Sequence, residues 1–384
     1  MIIKKLFKIS IYVLLINFFS TSSLFAKTQV FYAGFSFGSV IPENTYTNSI
    51  LEKGSMSFLD KLLLSETKKI SNNSMNFNYD LLGDDVGGDD QNIMVLALDN
   101  EHIDSISIPE DKLTRTDIIL NFQIIFFNAK SNFLVAAIPL EVTKVINSQD
   151  PLSKSEIQKE LKSIYKNSVV KYYAELLSKF NFKTKFKNRI GIKEVLFEQK
   201  AQEYFSKNFS KKDIFLKNRF AKSLSSYLAF NNDIAVVPYN QDRTTKTFML
   251  KFQNSQREIS LPDPDYHIHL TIRGFKSILF KEGNIDEQWI YGSYVNIKVI
   301  QPDTDEVSIN EKFKSAINVE LSKRSMKNKS SFEWIFYNDS LKLLFDNFSR
   351  QTVEIDKKWL KSANGNKKIK KSFDNLVKIY ENCR

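Results

Sequence analysis

Cysteine, histidine and long uninterrupted apolar stretches are what this sequence has least of. Of its 384 residues one is cysteine, Cys383, next to the last position, so no internal disulfide can form. That thiol is expected to be incidental, in a frayed terminus. Histidine occurs three times, at His102, His267 and His269. Neither H-E-x-x-H nor a phosphate-cradling P-loop string is present, which argues against zincin-type and P-loop chemistry. Beyond the first 26 residues no window stays apolar over the roughly 20 residues that a bilayer-spanning helix needs. The most hydrophobic one, 118–142, is interrupted by Asn121, Gln123, Asn128, Lys130, Ser131 and Asn132.

The beginning of the chain is different. Lys4, Lys5 and Lys8 form a basic segment, an apolar run follows from Ile9 to Phe19, and small residues at 20–23 lead to Leu24-Phe25-Ala26. These are the three regions of a cleavable export signal, and the apolar run is about half a membrane span. Residues 1–26 are therefore expected to be a Sec-type signal peptide cut near Ala26. No cysteine lies at the cut, so the chain is not expected to be a lipoprotein. The expected destination is the periplasm, as a water-soluble protein.

Removing 26 residues leaves 358, a length that suggests two domains. With 32 Phe and 15 Tyr there is ample material for cores. The formal charge of +11 falls to +8 when the three leader lysines are subtracted. Lys, Asn, Ile and Phe are abundant together, so the surplus reads as composition drift and no nucleic-acid partner is expected. Weak association of the lysine-rich C-terminal region with an anionic membrane surface is expected instead.

Strands are expected at 30–37, 92–98, 117–128, 132–142, 190–198, 234–238, 266–275, 294–301 and 307–313. Helices are expected at 57–70, 153–179, 210–230 and 332–348. Ser153 and Glu156 stand at capping-box spacing, and Ile157, Leu161 and Ile164 begin one apolar stripe. Pro139 puts the 132–142 strand at a sheet edge or a bulge. Helix, short strand, hairpin and helix recur in the two halves. The fold class is thus α/β or α+β, with mixed or antiparallel sheets and helices on one face. The expected divisions are 27–200, 201–356 and a lysine-rich tail at 357–384, helical or frayed.

Four strings bear on chemistry. Gly34-Phe35-Ser36-Phe37-Gly38 matches G-x-S-x-G, but it lies within a strand and a proline-containing loop follows, so it is read as coincidence. Asp265, His267 and His269 alternate along a strand, where residues two apart share a face, and so form a candidate ligand set for Zn²⁺ or Cu²⁺. The plainer reading makes them the wet face of a strand whose other face carries Ile268, Leu270 and Ile272. The acidic glycine-bent loop at 83–90 offers oxygen ligands without EF-hand spacing, and is read as an acidic loop. Trp289 with Tyr291-Gly292-Ser293-Tyr294 gathers aromatic surface for stacking or, more simply, core packing.

Pro262-Asp263-Pro264-Asp265-Tyr266, Arg273-Gly274-Phe275-Lys276 and Trp289-Ile290-Tyr291-Gly292, with Phe31-Tyr32-Ala33-Gly34-Phe35 upstream, resemble a group of exported proteobacterial proteins with no assigned activity. The repeated α/β layout is also distantly similar to the periplasmic domains of the curli-secretion lipoprotein and of flagellar outer-membrane assembly proteins. The resemblance transfers no catalytic residue, and no cofactor is expected. The expectation is a non-catalytic envelope accessory or binding protein of unknown ligand or protein partner. The rival is a metal-binding protein or metal-dependent enzyme centred on His267 and His269.

Overall fold

The aromatic segment near residue 30 becomes a strand flanked on both sides, because its alternate residues have two cores to enter. In a computed structural model, residues 27–51, 57–79, 91–108, 112–209, 213–239, 246–366 and 368–384 are described. The export leader and the 83–90 acidic loop lie outside these residues.

The first sheet is built from β1 (Thr28–Phe37), β2 (Met75–Asn78), β3 (Asn92–Ile108), β4 (Leu113–Asn128) and β5 (Leu134–Ser148). β1 runs parallel to β2 and β3, and β3, β4 and β5 form an antiparallel meander ending at β5. Pro139 thus sits in a terminal strand, where a missing N–H is tolerated. Two helices after β1, α1 (Tyr46–Ile50) and α2 (Phe58–Thr67), precede β2. A long helix follows β5: α3 (Lys154–Ile164) passes through a π-helical turn at Tyr165–Val169 into α4 (Val170–Lys179). It starts where the capping box requires, with Glu156 N–H donating to Ser153 Oγ and Ser153 N–H to Glu156 Oε2.

The second sheet follows the same plan. β6 (Ile190–Phe197) is parallel to β7 (Val236–Val237) on one side and to β10 (Tyr266–Glu282) on the other. β10, β11 (Asp286–Gln301) and β12 (Glu306–Ser322) form the meander. Helices α5 (Gln199–Asn208) and α6 (Asp213–Asn232) separate β6 from β7, and α7 (Glu333–Arg350) follows β12. Strand order and pairing sense therefore recur. The sheets do not divide at residue 200: β6 opens the second sheet, while the hairpin β8 (Thr247–Lys251) and β9 (Gln256–Ser260) joins the first through β1.

The α/β class is as the patterning implied. α6 packs against β5, β6 and α7, and so lies between the two sheets. One face of the first sheet packs on α2, α3 and α4; its other face meets the β8–β9 hairpin at one end and α6 and α7 at the other. Among the described residues, the second sheet carries helices on one face only, where Ile268, Leu270 and Ile272 are buried.

Of the two alternatives for residues 357–384 the helical one holds: α8 (Lys357–Ala363) and α9 (Ile369–Cys383) pack against β12. The expectation that Cys383 lies in a frayed end needs correction. Cys383 is 1% exposed, and burial, with the charge of Asp265, pushes its thiol up to about 12. The reason is the α9 periodicity: Ile369, Phe373, Leu376, Ile379, Tyr380 and Cys383 make one buried stripe beneath a lysine-rich outer side.

Candidate functional site

β5 carries one charged residue within its apolar stretch, Glu141, and that residue marks a cleft. Leu140, Glu141, Val142 and Thr143 line it on the strand side, and Tyr172 of α4, Ser226, Tyr227 and Phe230 of α6, and Lys342, Leu343, Asp346 and Arg350 of α7 on the others. Its volume is about 460 Å³, within the usual size of a small-ligand site. On α7, positions 342, 346 and 350 recur every four residues, which places one charged stripe along the cleft.

The inner end is an ion pair held out of water. Lys342 Nζ lies 2.7 Å from Glu141 Oε1, with side chains 15% and 7% exposed. Asn121 Nδ2 donates to Glu141 Oε2 at 3.0 Å, and Lys342 Nζ donates to Thr143 Oγ1 at 2.8 Å. Burial alone would raise the Glu141 pKa, but Lys342, Asn121 and Arg219 outweigh it and hold the carboxyl below its ordinary value. Arg219 is itself buried, which pulls its pKa down against the attraction of Glu141.

At the outer end Arg350 Nε donates to both Asp346 oxygens at 2.9 and 3.0 Å, and Asn231 Nδ2 donates to Asp346 Oδ1 at 3.0 Å. Between the two ends the wall is aromatic. Tyr172 and Phe230 meet edge to face, centroids 5.8 Å apart. The phenol of Tyr227 is pushed up by burial and by Glu141 and Asp346. Neither histidine nor cysteine is among the lining residues. The arrangement can hold a ligand by aromatic contact and hydrogen bonds.

The cleft continues a polar seam that joins the first sheet to α6 and α7. Arg115 Nη1 and Nη2 reach the two carboxylate oxygens of Asp339 at 2.8 and 2.9 Å, while its Nε donates to Asp117 at 2.7 Å. Lys222 Nζ lies 3.0 Å from Asp99 Oδ2, both nearly buried. Such bidentate and desolvated pairs fix how one layer sits on the next.

His267 and His269 share the uncovered face of β10, their rings 6.4 Å apart. Asp265 does not join them: its Oδ2 accepts the Arg189 N–H at 2.6 Å, a turn contact that anchors the start of β10 beside β6. His269 Nδ1 lies 2.6 Å from Glu194 Oε1 across the β6–β10 pair. Among the described residues, no group of three His, Cys, Asp or Glu is arranged to hold a metal ion. Burial, reinforced by Lys193 and His269, lowers the His267 pKa. In an NMR titration its midpoint is expected below 6.5, its ordinary value. Since the unfolded chain then takes the proton more readily, the stability this ring contributes is complete above that ordinary value and is lost as pH falls through the lowered one. A midpoint above 6.5 would show that the Glu194–His269 pair governs the face instead.

Ser36 is 1% exposed and lies in β1, opposite Ala97 of β3, so the G-x-S-x-G string presents no nucleophile. Its first glycine has a structural task. Gly34 has φ +81°, and a Cβ there would come within 2.5 Å of Asp60 Oδ1, the atom that accepts the Phe35 N–H. Tyr291 faces α7, buried against Phe336 and Tyr337, and Trp289 lies beside it with Lys329 over its ring. Tyr294, of opposite parity, lies on the uncovered face beside Gly292.

Sequence reasoning did not single out the cleft. The signal available was Glu141, a lone carboxylate in a strand whose neighbours from Leu134 to Val142 are otherwise apolar, since a buried charge needs a partner. No protein-family model matches the chain, and no curated protein matches it significantly.

Proposed function

We propose that this is an exported, non-catalytic binding or accessory protein of the cell envelope, whose ligand site is the cleft at the end of the first sheet. The observation that carries the reading is the cleft's make-up: an aromatic wall over an ion pair already satisfied by its own neighbours. Groups so committed serve recognition better than proton transfer, which needs a base poised near neutral pH. The basic, apolar and small-residue regions of residues 1–26 support export. The repeated strand plan of the two sheets supports a duplicated scaffold with the site where its halves meet. Lys368, just before α9, and Lys370, Lys371 and Lys378, exposed on it, give the protein a weak, salt-screened attraction to anionic membrane surfaces.

The test is photo-crosslinking in intact cells. Leu343 is 41% exposed at the rim of the cleft, and Ile285, at the remote β10–β11 turn, is 75% exposed. p-Benzoylphenylalanine at 343 is expected to give a saturable adduct that the same residue at 285 does not. No adduct at 343, or an equal one at both positions, would remove the cleft from consideration.

A further inference from the structure

Four consecutive residues of β5, Leu140 to Thr143, line the cleft. Side chains on a strand alternate between faces, so a cavity over one face touches every second residue; one that touches four in a row runs along the strand's edge. β5 ends its sheet, and these residues pair on their other side with Phe122, Asn121, Leu120 and Ile119 of β4. Among the described residues, no main-chain hydrogen bond outside the β4 pairing reaches positions 140–143. Half of their N–H and C=O groups therefore point into the cleft, spaced to pair with another extended main chain.

The remaining walls fit the same occupant. Two cations, Lys342 and Arg350, balance two anions, Glu141 and Asp346, and each is tied to its opposite. A ligand of net charge finds no surplus to bind, whereas the alternating donors and acceptors of a neutral main chain complement an unpaired strand edge. Tyr172, Tyr227, Phe230 and Leu343 give the cleft aromatic and apolar surface for the side chains of an added strand. The edge of four residues spans roughly 13 Å, room for a segment of about four or five residues.

We propose that the cleft binds an extended polypeptide segment, which adds as a further strand beside β5 and seats alternate apolar side chains against the aromatic wall. This deepens the binding reading above and rests on it. The partner class is a protein with an exposed, extended, uncharged stretch.

The test uses the purified protein and a positional-scanning library of acetylated, amidated heptapeptides carrying fluorescein. Retained peptides are expected to prefer apolar residues at alternating positions. Methylating the backbone nitrogens of the best peptide one at a time should weaken binding roughly tenfold at alternate positions and little between them, because one edge of the added strand faces β5. Leu343→Arg fills the rim without touching the core, and should abolish binding with the circular dichroism spectrum and melting temperature unchanged. Methylation effects without the alternation, or no retained peptide, would overturn the proposal. If the photo-adduct at 343 forms and is a small molecule while no peptide binds, the cleft stands as a site and only the strand-addition proposal falls. If neither appears, both fall.

Discussion

Replacing Glu141 with Ala should lower the free energy of unfolding by about 3–5 kcal/mol, the cost of leaving a buried charge without its partner. The carboxylate is nearly enclosed, and its removal strands the Lys342 ammonium and deprives the buried Arg219 of its main counter-charge. It also removes the acceptor of Asn121 Nδ2. Lys342→Met should cost a comparable amount, and the double variant clearly less than the sum, because the two residues form one unit. Replacing all three charged groups by apolar residues of like volume should recover much of the loss, since the desolvation cost of the cluster disappears with it. Urea unfolding of the unaltered protein and the four variants measures this, and additivity of the single losses would show that the pair is not coupled.

The same carboxyl sets a pH dependence. Its folded pKa lies below the ordinary value of 4.5, so the stability it contributes is complete above that value and is lost as pH falls through the lowered one. Glu141→Gln should flatten this acid limb of the stability curve while leaving the neutral-pH spectrum native. An unchanged limb in that variant would assign acid sensitivity to other carboxylates.

Much of this fold was readable where pattern and environment agree. The apolar runs near 93–98, 117–128 and 132–142 mark the three strands of the first meander, and the capping box at Ser153 fixes the start of α3 within a residue. Strand length was not readable. β3 continues from Asp99 to Ile108 with only Ile103, Ile106 and Ile108 apolar, and β10 from Lys276 to Glu282 in residues that are polar or exposed, because pairing to β4 and β11 holds them extended where the apolar pattern thins. The β8–β9 hairpin was missed for a related reason. Its short strands alternate weakly, and they fold because Phe248, Leu250 and Ile259 close a small core over Ile93, Val95 and Ile125. α6 shows a poor helical stripe because it is buried nearly all round, its Arg219 and Lys222 turned to the first sheet and its Leu216, Phe220 and Leu224 to the apolar core. The cleft was least legible, since it is assembled from β5, α4, α6 and α7, which are far apart in sequence.

Deleting residues 357–384 should leave no folded protein, although lysine-rich composition makes the segment look dispensable. α8 and α9 bury Leu360, Ile369, Phe373, Leu376, Ile379 and Tyr380 against β12 and α7. At about 1.5–3 kcal/mol for each large side chain, removal of the six forfeits about 9–18 kcal/mol, at least comparable with the whole stability of an ordinary domain. The loss is compounded on the other side of the contact. Phe313 of β12, now 1% exposed, stacks on Trp359 with centroids 6.1 Å apart and meets Phe348 and Phe373 edge to face, so truncation opens an aromatic pocket to water. A gentler probe separates packing from helix loss. Phe373→Ala should cost about 3–5 kcal/mol, the range for a buried phenylalanine whose cavity cannot fully collapse, and should keep the native spectrum. Cys383 supplies the readout for the point variant. Its thiol is buried and its pKa raised to about 12, so in the intact protein it should react with a disulfide reagent only on opening, many times faster in Phe373→Ala. Prompt labelling of the unaltered protein at neutral pH would mean that α9 detaches freely, and the truncated chain should then fold and melt as the full one does.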